Sequence, residues 1–275
     1  MPTVSVYGYE VFYYDDDFTD PWRPSEVVLL NHYGTGDSTL YNRWVATLAP
    51  HYRVIRWDRP GHGRSQKPGL DYEMTVEGVL AGFTGFMNAL GLERVHYIGD
   101  KVSSAVGIAL AATQPERIKS LVLSACFLSG KRVREHFLRS AQAVLDEGTW
   151  SFAYRPGATG VRPDDTPERR MQSLYYSQVQ SGVPAHLIAS AYRLVASPAF
   201  DVEPFLSKVQ APTLLLSPDS GGQLITMEEQ ELIRTTIPNC EQHVFAGGTA
   251  QLPYYEADWC AEHALRFIQK HGYLS

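Results

Sequence analysis

The sequence predicts an α/β fold, a mostly parallel sheet of eight strands with helices on both of its faces. Short apolar runs such as Val27–Leu30, typical of strands that are buried on both faces, alternate with segments of helical periodicity such as Thr75–Leu90. Parallel strands joined by helices produce this alternation. The chain has 275 residues, which is enough for one large core, and α/β chains of this length usually form one domain.

Composition excludes several classes of protein. The net charge of -6 at pH 7 argues against a nucleic-acid-binding protein, which normally presents a basic surface. The first residues carry neither the basic nor the apolar region of a signal peptide, and no uncharged apolar run is long enough to cross a bilayer. The cysteines, Cys126, Cys240 and Cys260, are widely spaced. We therefore expect packing cysteines and no zinc site in a cytoplasmic protein.

The strands and helices of the core follow in order along the chain. Residues 4–14 alternate and are rich in tyrosine and valine, which predicts a two-stranded hairpin at the edge of the sheet. Four elements, strand, helix, strand and helix, are predicted next at Val27–Leu30, Leu40–Leu48, Tyr52–Trp57 and Thr75–Leu90. Gly91 supplies the C-cap of the last of these helices. The closing part of the core predicts strand, helix, strand and helix at Pro212–Ser217, Met227–Thr235, Gln242–Phe245 and Glu256–His271.

Between these two parts the texture of the sequence changes. Strand-like runs stop after Leu123, and three helical patterns alternate with loops that contain proline and glycine, at Val133–Asp146, Pro167–Gln180 and Ala185–Leu194. We therefore predict a helical cap over residues 130–205, inserted into a core made of residues 1–129 and 206–275. Tyr175 and Tyr176 are the cap residues that we expect in a substrate pocket.

The stretch from Val95 to Gly107 predicts a sharp turn between a strand and a helix. An apolar strand ends at Gly99, and an alanine-rich helix begins soon after it. Gly99 lies two residues before Lys101 and Ser103 two residues after it, which is the spacing of a nucleophile elbow. That turn usually carries Ser, Cys or Asp at its apex, and here the apex is a lysine.

Residues 58–65 carry the clearest resemblance to a known family. They read D-R-P-G-H-G-R-S, similar to the D-x-R-G-H-G-x-S turn of the α/β-hydrolase superfamily, with Pro60 in place of one turn residue. Within that superfamily, the run from Leu29 to Ser65 resembles 3-oxoadipate enol-lactonases. The resemblance covers nearly the whole chain and implies an α/β-hydrolase fold, in which His62 stabilises the turn and takes no part in catalysis.

The resemblance also implies three catalytic positions, and each holds an unusual residue. The elbow holds Lys101, the acid position after the penultimate core strand falls on Gln223, and the histidine position after the last strand holds Gln251. Asp219 is the only carboxylate of the acid loop. Because all three positions differ while their sequence frames persist, we expect standard acyl-enzyme hydrolysis to be absent.

Further residues are assigned to the site by the same resemblance. The N–H groups of Tyr33 and Val102 would form an oxyanion hole. His32 and Asp100 are candidate pocket residues, and a loop histidine bonded to backbone is the alternative for His32. Adjacent residues on a sharp turn tend to point apart, so we expect Lys101 to meet the substrate and not Asp100. Because a strained functional residue does not stabilise the fold, removing Lys101 should abolish activity and leave thermal stability unchanged or improved.

Three functions remain open from the sequence. The first is a lysine-dependent enzyme acting on a small carbonyl or carboxylate compound by decarboxylation, C–C cleavage, elimination or isomerisation. The second is an ester or lactone hydrolase in which Ser103 or Ser104 is the nucleophile and Lys101 the base. The third is a catalytically inactive protein that binds a small ligand, with Lys101 a pocket-filling charge paired with Asp100. The expected partner is a small-molecule substrate without cofactor, metal, nucleic acid or membrane, and a homodimer is compatible with the sequence.

Overall fold

The computed structural model describes residues 2–22, 24–32, 34–155, 165–220, 222 and 224–272. Within them, eight strands form one sheet: β1 (Thr3–Val6), β2 (Tyr9–Asp16), β3 (Val27–Asn31), β4 (Arg53–Trp57), β5 (Val95–Asp100), β6 (Ile118–Ser124), β7 (Thr213–Pro218) and β8 (Cys240–Phe245). Their spatial order is β1-β2-β4-β3-β5-β6-β7-β8. β2 is antiparallel to both of its neighbours, and the pairings from β4 to β8 are parallel. The predicted eight-stranded, mostly parallel sheet is confirmed.

The helices connect these strands in the predicted order. They are α1 (Asn42–Leu48), α2 (Val76–Ala89), α3 (Val102–Thr113), α4 (Arg134–Tyr154), α5 (Pro167–Ser181), α6 (Ala185–Ala196), α7 (Met227–Thr236), α8 (Leu252–Tyr255) and α9 (Ala257–His271). Thr75 caps α2 by accepting a hydrogen bond from the Gly78 amide. Gly91, with φ 65°, follows the end of that helix.

Two helices differ most from the sequence prediction. α4 continues eight residues beyond the predicted end at Asp146, because Gly148, with φ 78°, lets the chain kink and then resume its helical path. The short helix α8 falls in a segment that the sequence predicted as loop. Its first residues include Pro253, which is tolerated at a helix start where no amide donor is required.

The sheet is buried on both faces, as its strands predict. Leu29 packs into a cluster with residues of α2 and α3, including Phe83 and Ile108. Its neighbours Val28 and Leu30 point to the opposite face, into a cluster with residues of α1 and α9. This alternation follows from the two-residue period of a strand. Because the strands from β4 to β8 are parallel, their carboxyl ends lie at the same edge of the sheet.

Helices α4, α5 and α6 follow β6 and precede β7, and the predicted cap range of 130–205 overlaps them. An isolated bridge between Ser129 and Asp201 joins the chain on either side of these helices. α4 and α6 pack on each other through a cluster that includes Val144, Phe152 and Leu187, and α5 bonds to α4 where the Ser177 hydroxyl donates to the carbonyl oxygen of Ala153. Residues 156–164 lie outside the described residues. No helix of the described chain is both long enough and apolar enough to span a bilayer.

Candidate active site

The turn between β5 and α3 has a strained backbone. Lys101 has φ 48° and ψ -115°, in a left-handed region that residues with a side chain rarely adopt. Its amide donates to the carbonyl oxygen of Ser124 at 3.0 Å, and its own carbonyl accepts from the amide of Ser104 at 3.1 Å. The neighbouring strand and the first turn of α3 therefore hold the turn in place.

Gly99 allows the strand and the helix to approach so closely. A Cβ atom at this position would lie 2.7 Å from the backbone oxygen of Ser103 and 2.9 Å from the ring of Tyr97. The Tyr97 hydroxyl donates to that same oxygen at 2.8 Å, so neither neighbour can move away independently. The small residue at the start of the motif is thus required by packing.

Gly99→Ala is expected to destabilise the folded protein by about 1 to 3 kcal/mol, because the added methyl group overpacks a buried turn. Gly82→Ala is the matched control. No atom lies within 4 Å of a Cβ there, and alanine is favoured over glycine in a helix interior by about 1 kcal/mol. Urea unfolding of both variants measures the difference. Equal stability of the two variants would contradict the packing described for the elbow.

The Lys101 side chain reaches a cavity of about 950 Å³ between the core and the inserted helices. Only 13% of the side chain is exposed, and its Nζ lies 3.8 Å from Oδ2 of Asp100, which is 5% exposed. Oδ1 of Asp100 accepts a hydrogen bond from the Tyr41 hydroxyl at 3.0 Å. This corrects the expectation that the two side chains diverge, and Asp100 lies behind the lysine and not in the wall of the large cavity. Pairing offsets part of the cost of burying both charges.

Burial dominates the pKa of both groups. It lowers the pKa of the Lys101 ammonium, against the charge of Asp100, which raises it. It raises the pKa of the Asp100 carboxyl, against Lys101, the Tyr41 hydrogen bond and Arg59, which lower it. The two pKa values are brought closer together, so moving a proton from the ammonium to the carboxylate costs less free energy than in water.

The turn after β4 is a structural element. Asp58 accepts hydrogen bonds from the amides of Ser38 and Arg64, each at 2.8 Å. The His62 ring lies 2.8 Å from the carbonyl oxygen of Gly34, and burial lowers the pKa of His62 to about 3. His62 therefore stays neutral at physiological pH and holds two loops together, as the family resemblance implies.

His32 packs against this turn and does not line the cavity. Its Nε2 accepts the backbone N–H of Arg59 at 3.2 Å, and the residue is 1% exposed. This corrects its assignment as a pocket residue, and the alternative of a histidine bonded to backbone describes it. A nitrogen that serves as an acceptor here is not available as a base for a substrate.

The two serines after Lys101 are also turned away from the cavity. The Ser104 hydroxyl donates to the carbonyl oxygen of Gly99 at 2.8 Å, and the Ser103 hydroxyl donates to that of His32. Both residues are buried, and neither lines the cavity. This corrects the assignment of Ser104 as a catalytic residue, because its hydroxyl instead fastens α3 to the strand.

The oxyanion donors and the acid position are described only in part. Val102 is the first residue of α3 and lines the cavity beside Lys101. The first N–H groups of a helix have no partner within the helix, so they favour negative charge nearby. Tyr33 and Gln223 lie outside the described residues. Asp219 is exposed and accepts a hydrogen bond from the Gly247 amide at 2.8 Å.

Gln251 and Tyr176 reach the same cavity as Lys101. Gln251 lies just before α8, where its backbone N–H donates to Thr249 Oγ1 at 3.3 Å. A carboxamide can donate and accept hydrogen bonds but does not relay protons at neutral pH. Tyr175 does not line the cavity and is 38% exposed. Its assignment as a pocket residue is corrected, since adjacent residues point in different directions around a helix.

The cavity wall includes ionisable residues that were not predicted as site residues, among them Arg59, His136 and Asp201. Burial lowers the pKa of Arg59, and Asp201 pairs with Lys131 at 2.5 Å. Within the described wall, His136 is the only histidine and Asp201 the only carboxylate. Neither follows β7 or β8, where a triad needs its acid and its histidine. The position of Arg59 directly after a parallel strand was a usable signal, whereas His136 on α4 had none.

The described residues contain no group of three or more His, Cys, Asp or Glu placed to hold a metal ion. Positive charge instead dominates the wall of the cavity. The described wall contains one carboxylate, that of Asp201, and four cationic residues, although the net charge of the protein is -6. The cationic residues are Arg59, Lys101, Arg139 and Arg155. Composition alone does not produce such a cluster, and a cleft lined by one sign of charge concentrates ligands of the opposite sign.

The sheet order, the strained turn after β5 and the inserted helices define an α/β-hydrolase fold. A sequence model of the family described as the alpha/beta hydrolase fold matches residues 26–147, which include the elbow. The chain therefore has the α/β-hydrolase fold, and residues 26–147 resemble that superfamily in sequence.

Individual relatives are distant. RutD of Caulobacter segnis, which carries the provisional name carbamate hydrolase, is 22% identical over 252 residues, covering 90% of this chain and 93% of RutD. The 2-hydroxy-6-oxo-2,4-heptadienoate hydrolase of Pseudomonas putida is 30% identical over 190 residues, covering 68% and 60% of the two chains. The enol-lactonase from Burkholderia xenovorans LB400 has a TM-score of 0.86 at 21% identity, covering 98% of this chain and all of that one. The predicted resemblance to enol-lactonases is confirmed for the fold.

Proposed function

We propose that the protein is a cofactor-free enzyme that acts on a carbonyl or carboxylate compound through Lys101. The observation that carries this proposal is an amine on a strained turn, largely removed from water and facing a cavity large enough for a substrate. Backbone strain of this kind persists where the surrounding structure enforces it, and it clusters at functional sites. The names of the three relatives all describe compounds with a carbonyl group, which favours the same substrate class.

Lys101 in its neutral form can attack a ketone or aldehyde carbon. The C–N bond forms as the carbonyl electron pair moves onto oxygen, and the Val102 amide is available to stabilise that oxyanion. Asp100 would accept the first proton that the nitrogen releases and return it to that oxygen. The resulting hydroxyl leaves as water with the second proton of the nitrogen, and a Schiff base remains. Its protonated form withdraws the electron pair of an adjacent bond, which suits decarboxylation, C–C cleavage, elimination or isomerisation.

Hydrolysis through a serine is disfavoured by the geometry of the elbow. The hydroxyl groups of Ser103 and Ser104 are both bonded to backbone carbonyls. A Ser–Lys mechanism would require one of them to break this bond and turn toward the cavity. Gln251 offers no proton relay in compensation.

A ligand-binding protein without catalysis is the second candidate. The ion pair between Lys101 and Asp100 is the observation that favours it, because a paired ammonium can serve only to neutralise the carboxylate behind it. In that case Lys101 would remain charged and would bind the ligand as a cation. Covalent chemistry at the lysine separates the two candidates.

Reductive trapping tests the proposal directly. The protein is incubated with pyruvate, acetoacetate or an aliphatic aldehyde in the presence of sodium borohydride, and peptides are analysed by mass spectrometry. We expect a secondary-amine adduct at Lys101, because a lowered pKa increases the neutral, nucleophilic fraction of the amine. Lys119 is the internal control in the same digest, since its ammonium pairs with Glu26.

The Lys101→Met variant is expected to lose the adduct while other lysines keep their background labelling. Adducts that are confined to exposed lysines, with Lys101 unmodified by every probe, would reject the enzyme and leave the ligand-binding candidate. Turnover of p-nitrophenyl esters that survives Lys101→Met and is abolished by Ser104→Ala would instead support the serine mechanism.

A further inference from the structure

An apolar arm of the cavity extends away from Lys101 along α3. The helix residues that line the cavity follow one face at the spacing i, i+3, i+4 and i+7: Val102, Ala105, Val106 and Ala109. From Lys101 to Ala109 the helix advances by about 12 Å, at 1.5 Å per residue. The cavity therefore continues for about two helical turns beyond the amine.

The walls of this arm are also apolar. α2 contributes Val76, Val79 and Leu80, again on one helical face. The segment after α6 supplies the opposite wall with Phe200, Val202 and Phe205. Asp201 also lines the cavity from this segment, and its carboxylate pairs with Lys131.

Small side chains line the arm on α3. Ala105 and Ala109 both belong to its wall, and Ala109, at 4% exposure, still borders accessible space. Voids of this kind cost stability, because their lining atoms lose contacts that a closer-packed core would make. A long apolar void beside a functional amine is therefore a ligand-binding feature to be tested.

We propose that this arm binds the hydrocarbon tail of an acid or oxo acid whose polar end meets Lys101. This inference rests on the proposed function and names its substrate class, amphiphilic acids with an unbranched aliphatic tail. The charge of the wall supports an anionic group at the polar end of the ligand. Arg59 and Lys101 line the cavity from the loops after β4 and β5. Arg139 lines it from α4, and Arg155 lines it from the residue after α4. The apolar arm then selects for the length of the tail.

Binding of straight-chain carboxylates, from butanoate to hexadecanoate below their micelle concentrations, tests the arm by isothermal titration calorimetry. Burial of each methylene group should raise affinity by about fourfold. We expect this increase to continue while the tail lies within the arm of about 12 Å and then to level off. An affinity that is independent of tail length would overturn the proposal.

Ala109→Phe is expected to move the levelling-off point to shorter tails, since position 109 borders the far part of the arm. Ala109→Leu is a milder variant if the phenylalanine prevents folding. Ala112→Phe is the matched control, because Ala112 lies on the same helix but not in the cavity wall. A length dependence that neither Ala109 variant alters would also overturn the proposal.

The failure of the arm and the failure of the lysine chemistry give different results. If Lys101→Met weakens every carboxylate by one common factor and the length dependence remains, the arm and the position of the head are both supported. If trapping at Lys101 succeeds but affinity does not depend on length, the arm is rejected and the proposed chemistry stands. If the length dependence is present but no adduct forms, the arm stands on a binding protein.

Discussion

Lys101→Met is expected to destabilise the folded protein by about 3 kcal/mol at neutral pH, and Lys101→Met with Asp100→Asn is expected to recover most of that loss. The single change leaves the Asp100 carboxylate buried without the ammonium 3.8 Å away. Breaking a buried ion pair costs about 3 to 5 kcal/mol. We expect the lower end, because Tyr41 still donates to Asp100 and Arg59 still lowers the pKa of its carboxyl.

The pH dependence of this loss has a definite sign. Removing the lysine removes the largest influence that lowers the pKa of Asp100, so that pKa rises further above its unfolded value. The cost of the buried carboxylate is present above the raised pKa and disappears as the pH falls and the folded protein takes up a proton. The stability difference between Lys101→Met and the wild type should therefore shrink on acidification.

Urea unfolding of the wild type, both single variants and the double variant gives the coupling energy of the pair. Lys131→Met is the matched control, because its ammonium pairs with Asp201 at an exposed site, where solvent screens the attraction and such pairs contribute little to stability. A Lys101→Met variant as stable as the wild type at neutral pH would show that the pair is energetically unimportant. The sequence alone predicted that outcome, because Lys101 was expected to be a strained functional residue.

Asp100→Asn is expected to increase the reactivity of Lys101 toward acylating reagents by about tenfold or more at pH 7. The Asp100 charge opposes the effect of burial on the lysine, so its removal lowers the pKa of Lys101 further. At a pH below the pKa, each unit by which the pKa of an amine falls increases its neutral fraction tenfold. Asparagine keeps an oxygen that can accept the Tyr41 hydrogen bond.

The measurement is the acetylation rate of the Lys101 peptide with acetic anhydride, followed by mass spectrometry between pH 6 and pH 10. The whole profile should move to lower pH in Asp100→Asn, while the profile of Lys119 in the same digests should not move. Asp201→Asn is the matched variant, since it removes a carboxylate from the cavity wall that is paired with Lys131. A shift to higher pH, or an equal shift in Asp201→Asn, would refute the assigned electrostatics.

The sheet was predictable because its signals are local. Runs such as Val27–Leu30 are apolar on both faces. The elbow is indicated by Gly99 and Ser103, which are small where the backbones of the strand and the helix approach each other. The direction of a side chain is not a local property. Lys101 lies beside Asp100, whose carboxylate is held by Tyr41, 59 residues away from Asp100 in sequence.

The cavity wall was the least predictable part of the molecule. Tyr175 and Tyr176 are adjacent and chemically identical, yet only Tyr176 faces the cavity. The choice depends on how α5 packs, and the sequence contains no record of that rotation. His136 on α4 and Ala109 on α3 likewise line the cavity because of how the inserted helices pack over the core.

The frame that strains Lys101 is built without its side chain. Ser124 accepts from the Lys101 amide, the Ser104 amide donates to its carbonyl, and Tyr97 holds the oxygen of Ser103. Backbone atoms and neighbouring residues thus hold the turn, whereas the side chain at the apex carries the reactive group. The position of the reactive group and its chemical nature are therefore set by different atoms of the molecule.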